Sequence, residues 1–85
     1  MSITSTQCAA ARAGLGIKRG DLAELAGVSP RTITDFERGA REPIGSTKAA
    51  LARALEEAGA VFQEDGGVML TAEGLARYRG AQASE

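Results

Sequence analysis

Apolar residues recur along most of the chain at intervals of three and four, the spacing that lines one face of an α-helix. Cys8, Ala11 and Leu15 form a first stripe, and Leu22, Ala23, Leu25 and Ala26 a second. Ile33 and Phe36 form a third, and Leu51, Ala54, Leu55 and Ala58 a fourth. Thr4 or Ser5 offers a capping oxygen for a first helix running to about Ala13, which Gly14 and Gly16 close, with Ile17 packing the turn. A second helix is expected over about residues 19–25 and a third over about 30–38, ending at Gly39. Ser46 is placed to cap a fourth over about 47–58, and Gly59 breaks it. Beyond Gly59 the pattern changes. Residues 60–63 and 68–70 are short β-prone runs separated by Glu64, Asp65, Gly66 and Gly67, turn chemistry that predicts a hairpin. Thr71 could cap a last short helix over 72–79, followed by a polar tail, 81–85, expected to be disordered. The fold class predicted is mainly α, a bundle of four to five helices with a short C-terminal β-hairpin.

Residues 19–39, RGDLAELAGVSPRTITDFERG, carry more than periodicity. Ala23 precedes Gly27 by four residues and Ile33 follows it by six, the spacing of a helix-turn-helix. A small side chain at Ala23 lets two helices approach closely, Gly27 can adopt the positive φ that ends the first of them, and Ile33 plugs the second into the core. Ser29 supplies an N-cap oxygen, and Pro30 has the fixed φ that a helix start tolerates. With the flanking pattern LA-x-x-AGVS-x-x-TI-x-x-FERG, this stretch resembles the lambda-repressor-like, Xre/Cro-type family of small bacterial and phage regulators, over about residues 6–58. The resemblance implies that residues 1–59 form a DNA-binding domain whose third helix meets base edges in the major groove. Residues 60–80 would then be a separate element, expected to join two copies.

Charge sharpens the division. The net charge is only −1. Residues 1–55, however, hold eight Lys or Arg against five Asp or Glu (+3), and residues 56–85 hold two against six (−4). A DNA-facing module followed by an acidic element has this asymmetry. With 44% hydrophobic but only 4% aromatic residues, the core must be built largely from Ala, Leu, Val and Ile, and a small core of that kind is commonly supported by oligomerisation. A single cysteine excludes an intramolecular disulfide, and the absence of histidine removes the usual zinc and catalytic ligands, so no metal, cofactor or enzymatic reaction is expected. Cys8 lies at an apolar position, where buried packing competes with redox sensing. No leader pattern and no apolar run of membrane-spanning length are present, and a cytoplasmic protein is expected.

Projecting the third helix leaves Arg31, Thr32, Thr34, Asp35 and Arg38 opposite Ile33 and Phe36. Arg31, Thr32, Thr34 and Asp35 are the candidate base contacts. Arg31 can fork onto guanine or grip a phosphate, Thr34 can meet a thymine methyl, and Asp35 can accept from a cytosine amino group or pair with Arg31 or Arg38. Lys18, Arg19, Arg38, Arg41 and Lys48 are the candidate phosphate contacts. Arg19 departs from the family pattern, which usually has a glutamine there contacting phosphate; a cation reaches phosphate but does not reproduce a neutral amide's hydrogen bond to the recognition helix. Arg12 and Glu37 match the family's partly buried ion pair between first and third helices. Val61, Phe62, Val68 and Leu70 need a covering surface, since a lone hairpin leaves them exposed; it is either the bundle or the same hairpin of a second subunit, and pairing with a second subunit is the expectation. The function these features predict is a dimeric repressor of a local operon or mobile element, bound to an inverted-repeat operator in double-stranded DNA. The competing reading is an antitoxin or antiactivator that binds a protein partner through the acidic C-terminal segment.

Overall fold

The computed structural model describes residues 2–71, so the expected helix over 72–79 and the tail 81–85 lie outside the described residues. The chain folds as α1 (Ser5–Leu15), α2 (Arg19–Ala26), α3 (Pro30–Glu37), α4 (Gly45–Ala58), β1 (Ala60–Phe62) and β2 (Val68–Leu70). The predicted class, a small mainly helical bundle with a C-terminal hairpin, is the one observed.

Each boundary has a local cause. Thr4 and Gln7 form a capping box at the start of α1, in which Thr4 Oγ1 accepts from the Gln7 amide at 3.1 Å and Gln7 Oε1 from the Thr4 amide at 3.0 Å. The helix runs two residues past its expected end, because Gly16, at φ 74°, supplies the left-handed turn. Gly14, inside the helix, is a glycine for another reason: a Cβ there would collide with the Leu70 side chain of the hairpin. Gly27, at φ 71°, ends α2, and the Ser29 side chain accepts from the Thr32 amide at 3.2 Å to start α3, as the sequence predicts. Arg38 is the C-cap of α3 rather than its last residue. α4 begins two residues early. Ile44, not Ser46, occupies its N-cap and contributes only its backbone carbonyl, which takes the amides of Thr47 and Lys48.

Leu15, Leu22, Ile33, Leu51 and Leu55 are essentially solvent-free at the centre of the core, with Cys8 and Phe36 beside them. Leu25 does not join them and is 57% exposed. The buried stripe of α2 centres on Leu22, Ala23 and Ala26, and at roughly 100° per residue Leu25 points about a quarter turn away from that centre.

The hairpin belongs to the same core. β1 and β2 pair antiparallel in the register Ala60↔Leu70, Val61↔Met69 and Phe62↔Val68. Because side chains alternate between faces, Ala60, Phe62, Val68 and Leu70 turn toward the helices while Val61 and Met69 point away. The expectation that Phe62, Val68 and Leu70 are covered by a second subunit is therefore corrected: of the two candidate surfaces, the bundle packs against them. Gln63 falls in the turn, where its amide bonds the Gly67 carbonyl at 2.9 Å. The buried Gln7 fastens that turn, its Nε2 donating to the carbonyls of Gln63 at 3.0 Å and Gly67 at 3.1 Å. One side chain thus caps α1 with its oxygen and holds the hairpin with its nitrogen.

Gln7→Ala should cost about 1–3 kcal/mol by leaving those partners unsatisfied. Amide hydrogen exchange should rise most over residues 60–70, and unchanged protection there would show that the hairpin is held by apolar contacts alone.

Candidate nucleic-acid interface

The surface around α3 starts from its interior side. Ile33 and Phe36 are buried against the bundle, which sets the helix's roll and leaves Arg31 facing outward at 87% side-chain exposure. The last residue of α3, Glu37, turns back inward, with its carboxylate only 3% exposed. Arg12 of α1 meets it with two parallel bonds, Nε to Oε2 at 2.8 Å and Nη2 to Oε1 at 3.0 Å, while Arg12 Nη1 donates to the Ile17 carbonyl at 3.0 Å. Arg19, at the start of α2, donates from Nε to the same Glu37 Oε1 at 3.2 Å. The ion pair expected from the sequence is present, with a second arginine added to it.

Protonation follows from that geometry. Burial alone would push the Glu37 carboxyl up, but the hydrogen bonds and positive charges of Arg12 and then Arg19 outweigh it and hold the group below its ordinary value. The same surroundings act oppositely on Cys8, whose thiol lies 3.6 Å from Glu37 Oε2. Burial first, and then the neighbouring carboxylate, push it up to about 12. Cys8 is fully buried in the core, the position the packing reading expects.

The outward face of α3 is less uniform than the sequence suggests. Arg31 Nε approaches Asp35 Oδ2 at 3.5 Å, one turn along the helix. Thr34 turns its hydroxyl back onto the Pro30 carbonyl at 3.2 Å, which leaves its methyl as the group on offer. Thr32 Oγ1 lies 2.9 Å from Ser29 Oγ and is engaged in the cap. Beyond the helix, the amides of Ala40 and Arg41 both bond the Asp35 carbonyl, folding the chain back beside it. Arg31 and Asp35 consequently lie between two shallow depressions, one completed by Thr32, Arg41 and Pro43, the other by Thr34 and Arg38.

Among the cations singled out for phosphate, Lys18, Arg38 and Arg41 are exposed and make no side-chain bond within the described residues. Arg19 is half-exposed and engaged with Glu37. Lys48 stands apart. It is ion-paired with Glu42 at 3.0 Å and lines a separate depression with Ser2, Ile3 and Gly45. Sequence reasoning missed Gln7 and the Arg19–Glu37 contact. The spacing Thr4-x-x-Gln7 is a capping-box signal that would have drawn attention to the first; no local signal announces the second, whose partners are 18 residues apart.

A helix-turn-helix family model matches residues 9–58, more than half of the chain, from the first turns of α1 to the end of α4. No curated protein matches the chain.

The lowered Glu37 carboxyl ties stability to pH. Its contribution is complete above the ordinary value of 4.5 and is lost as pH falls through its lower folded value, because the unfolded chain takes up the proton first. Glu37→Gln should lower stability near neutral pH by about 3 kcal/mol, as expected for breaking a largely buried pair. It should also make the acid-side fall in Tm shallower than in the parent. An unchanged melting curve with lost DNA binding would place Glu37 in the interface instead.

Proposed function

The chain belongs to the Cro/C1-type helix-turn-helix family and is a DNA-binding transcription regulator, and from that premise we propose that it is a sequence-specific repressor acting as a dimer on an inverted-repeat operator. The observation that carries the proposal is the placement of α3. Its inner face is locked by Ile33, Phe36 and the Glu37 carboxylate, and its outer face presents Arg31 and Asp35 between the flanking cations Arg38 and Arg41. In this reading Arg31 reads a guanine and the Thr34 methyl meets a thymine. Lys18, Arg19, Arg38 and Arg41 grip the backbone on either side. The small positive charge of residues 1–55 limits what one copy can contribute, which favours two copies with recognition helices about 34 Å apart.

The hairpin offers the surface for the second copy. Phe62, Val68 and Leu70 are committed to the bundle, so the pairing face is Val61 and Met69, which are 48% and 57% exposed. Glu64 and Asp65, also exposed, stand at the turn beside this face. The regulator is proposed to control a neighbouring operon or mobile element in the cytoplasm. No helix among the described residues is long and apolar enough to cross a membrane.

Arg31→Ala should weaken binding to a selected operator by about 1–3 kcal/mol and affect random DNA far less. Arg41→Ala should weaken both alike and reduce the salt dependence by about one ion. Equal losses from Arg31→Ala on both DNAs would make it a phosphate contact.

Replacing Val61 and Met69 together by Lys should leave the fold intact, convert a dimer to a monomer in sedimentation, and remove most operator affinity. If the double variant stays dimeric and binds normally, the pairing surface lies elsewhere. The acid-rimmed apolar face would then fit a protein partner, as an antitoxin or antiactivator requires.

A further inference from the structure

The Arg31–Asp35 contact is poorly explained by stability. With Arg31 87% exposed, an ion pair between residues one helical turn apart contributes little to folding. A carboxylate on a surface that meets DNA also repels every phosphate it passes. Its presence at the centre of that surface, bordering both depressions beside α3, calls for a different role.

Resting on the DNA-binding reading above, we infer that Arg31 and Asp35 act as one donor–acceptor unit that selects a guanine with a cytosine at the adjoining base pair. The contact runs through Arg31 Nε, the inner donor of the guanidinium. That leaves the terminal fork, Nη1 and Nη2, to donate to guanine O6 and N7. Asp35 is the better-buried partner of the pair, its side chain 24% exposed against 87% for Arg31, so it offers the projecting arginine a carboxylate set against the protein surface. A single approach from Nε also leaves carboxylate acceptor sites unused. These accept only from a base amino group and are repelled by guanine O6 and thymine O4. Adenine N6 lies between two acceptors that a carboxylate opposes, its own N7 and the paired thymine O4, whereas cytosine N4 has only one beside it, the paired guanine O6, and its own ring presents C5–H on the other side. Residues four apart on a helix are about 6 Å apart along its axis, a reach that covers neighbouring base pairs stacked about 3.4 Å apart. Asp35 is thus a specificity determinant by what it rejects as well as by what it accepts.

The test is selection of binding sites from a randomised duplex library with the full chain and with Asp35→Asn and Asp35→Ala. Affinities would then be measured on the selected site and on random DNA. The parent should enrich a guanine with a cytosine at the adjoining pair. Asp35→Asn keeps an oxygen beside Arg31 Nε, so the guanine should persist, but the neighbouring preference should move to adenine, whose N6 and N7 suit an amide. Asp35→Ala should lose the cytosine preference, blur the guanine, and weaken the selected site by about tenfold while binding random DNA as well as or better than the parent. Identical selected sites and affinities for parent and Asp35→Ala would overturn the inference, as would a parent that selects different bases. A parent that binds no duplex at low salt would overturn the DNA-binding reading itself, an outcome visible before any variant is compared.

Discussion

Glu37 closes the last turn of α3 with its carboxylate out of solvent, and three elements meet on it: α3 through the residue itself, α1 through Arg12 and α2 through Arg19. A buried carboxylate is costly unless its oxygens are fully engaged, and here both oxygens are. The directional demand of that arrangement does what apolar packing cannot. Ile33 and Phe36 fix how deeply α3 sits, but many small rotations would bury them nearly as well. A bidentate guanidinium pair tolerates far fewer, so the direction in which Arg31 leaves the protein is set on the opposite side of the helix.

The hairpin changes how the molecule divides. The helix-turn-helix match ends at residue 58, yet the core does not. Ala60 is buried, and Phe62, Val68 and Leu70 pack on the helices. Gly14 leaves room for Leu70, and Gln7 binds the turn. The C-terminal strands therefore serve the bundle with one face and leave a small apolar patch on the other, so any partner there meets a surface that is already shaped before it binds.

Much of this was legible in the chain because local chemistry decided it. Gly27, Ser29 and Pro30 mark the turn between α2 and α3 through backbone preferences that need no tertiary context, and the structure follows them. The first-to-third-helix pair of Arg12 and Glu37 was legible only through the family pattern. What escaped depended on parity, angle or distance. The faces of β1 and β2 follow from register, and sequence alone did not say that the bundle already covered one of them. Leu25 was misplaced because an eight-residue helix has too few turns to define the edge of its apolar stripe. Ser46 is a good capping residue, but the extended backbone at Ile44 lets α4 begin before it. Lys48 joins the phosphate set by its charge and its place near the start of α4, and nothing in the sequence announces its ion pair with Glu42.

The amide of Gln7 joins positions 56 and 60 residues apart in the chain, and this bears on the order in which the molecule assembles. Contacts among α2, α3 and α4 close short stretches of chain and carry little entropic penalty, whereas the clip waits for nearly all of the described residues to be available. On a ribosome, α1 is made well before the strands it packs on, so its neighbours are complete only once the hairpin has been synthesised. The helices α2, α3 and α4 can thus take shape before Gln7 finds its partners, and α1 and the hairpin are tied together only afterwards.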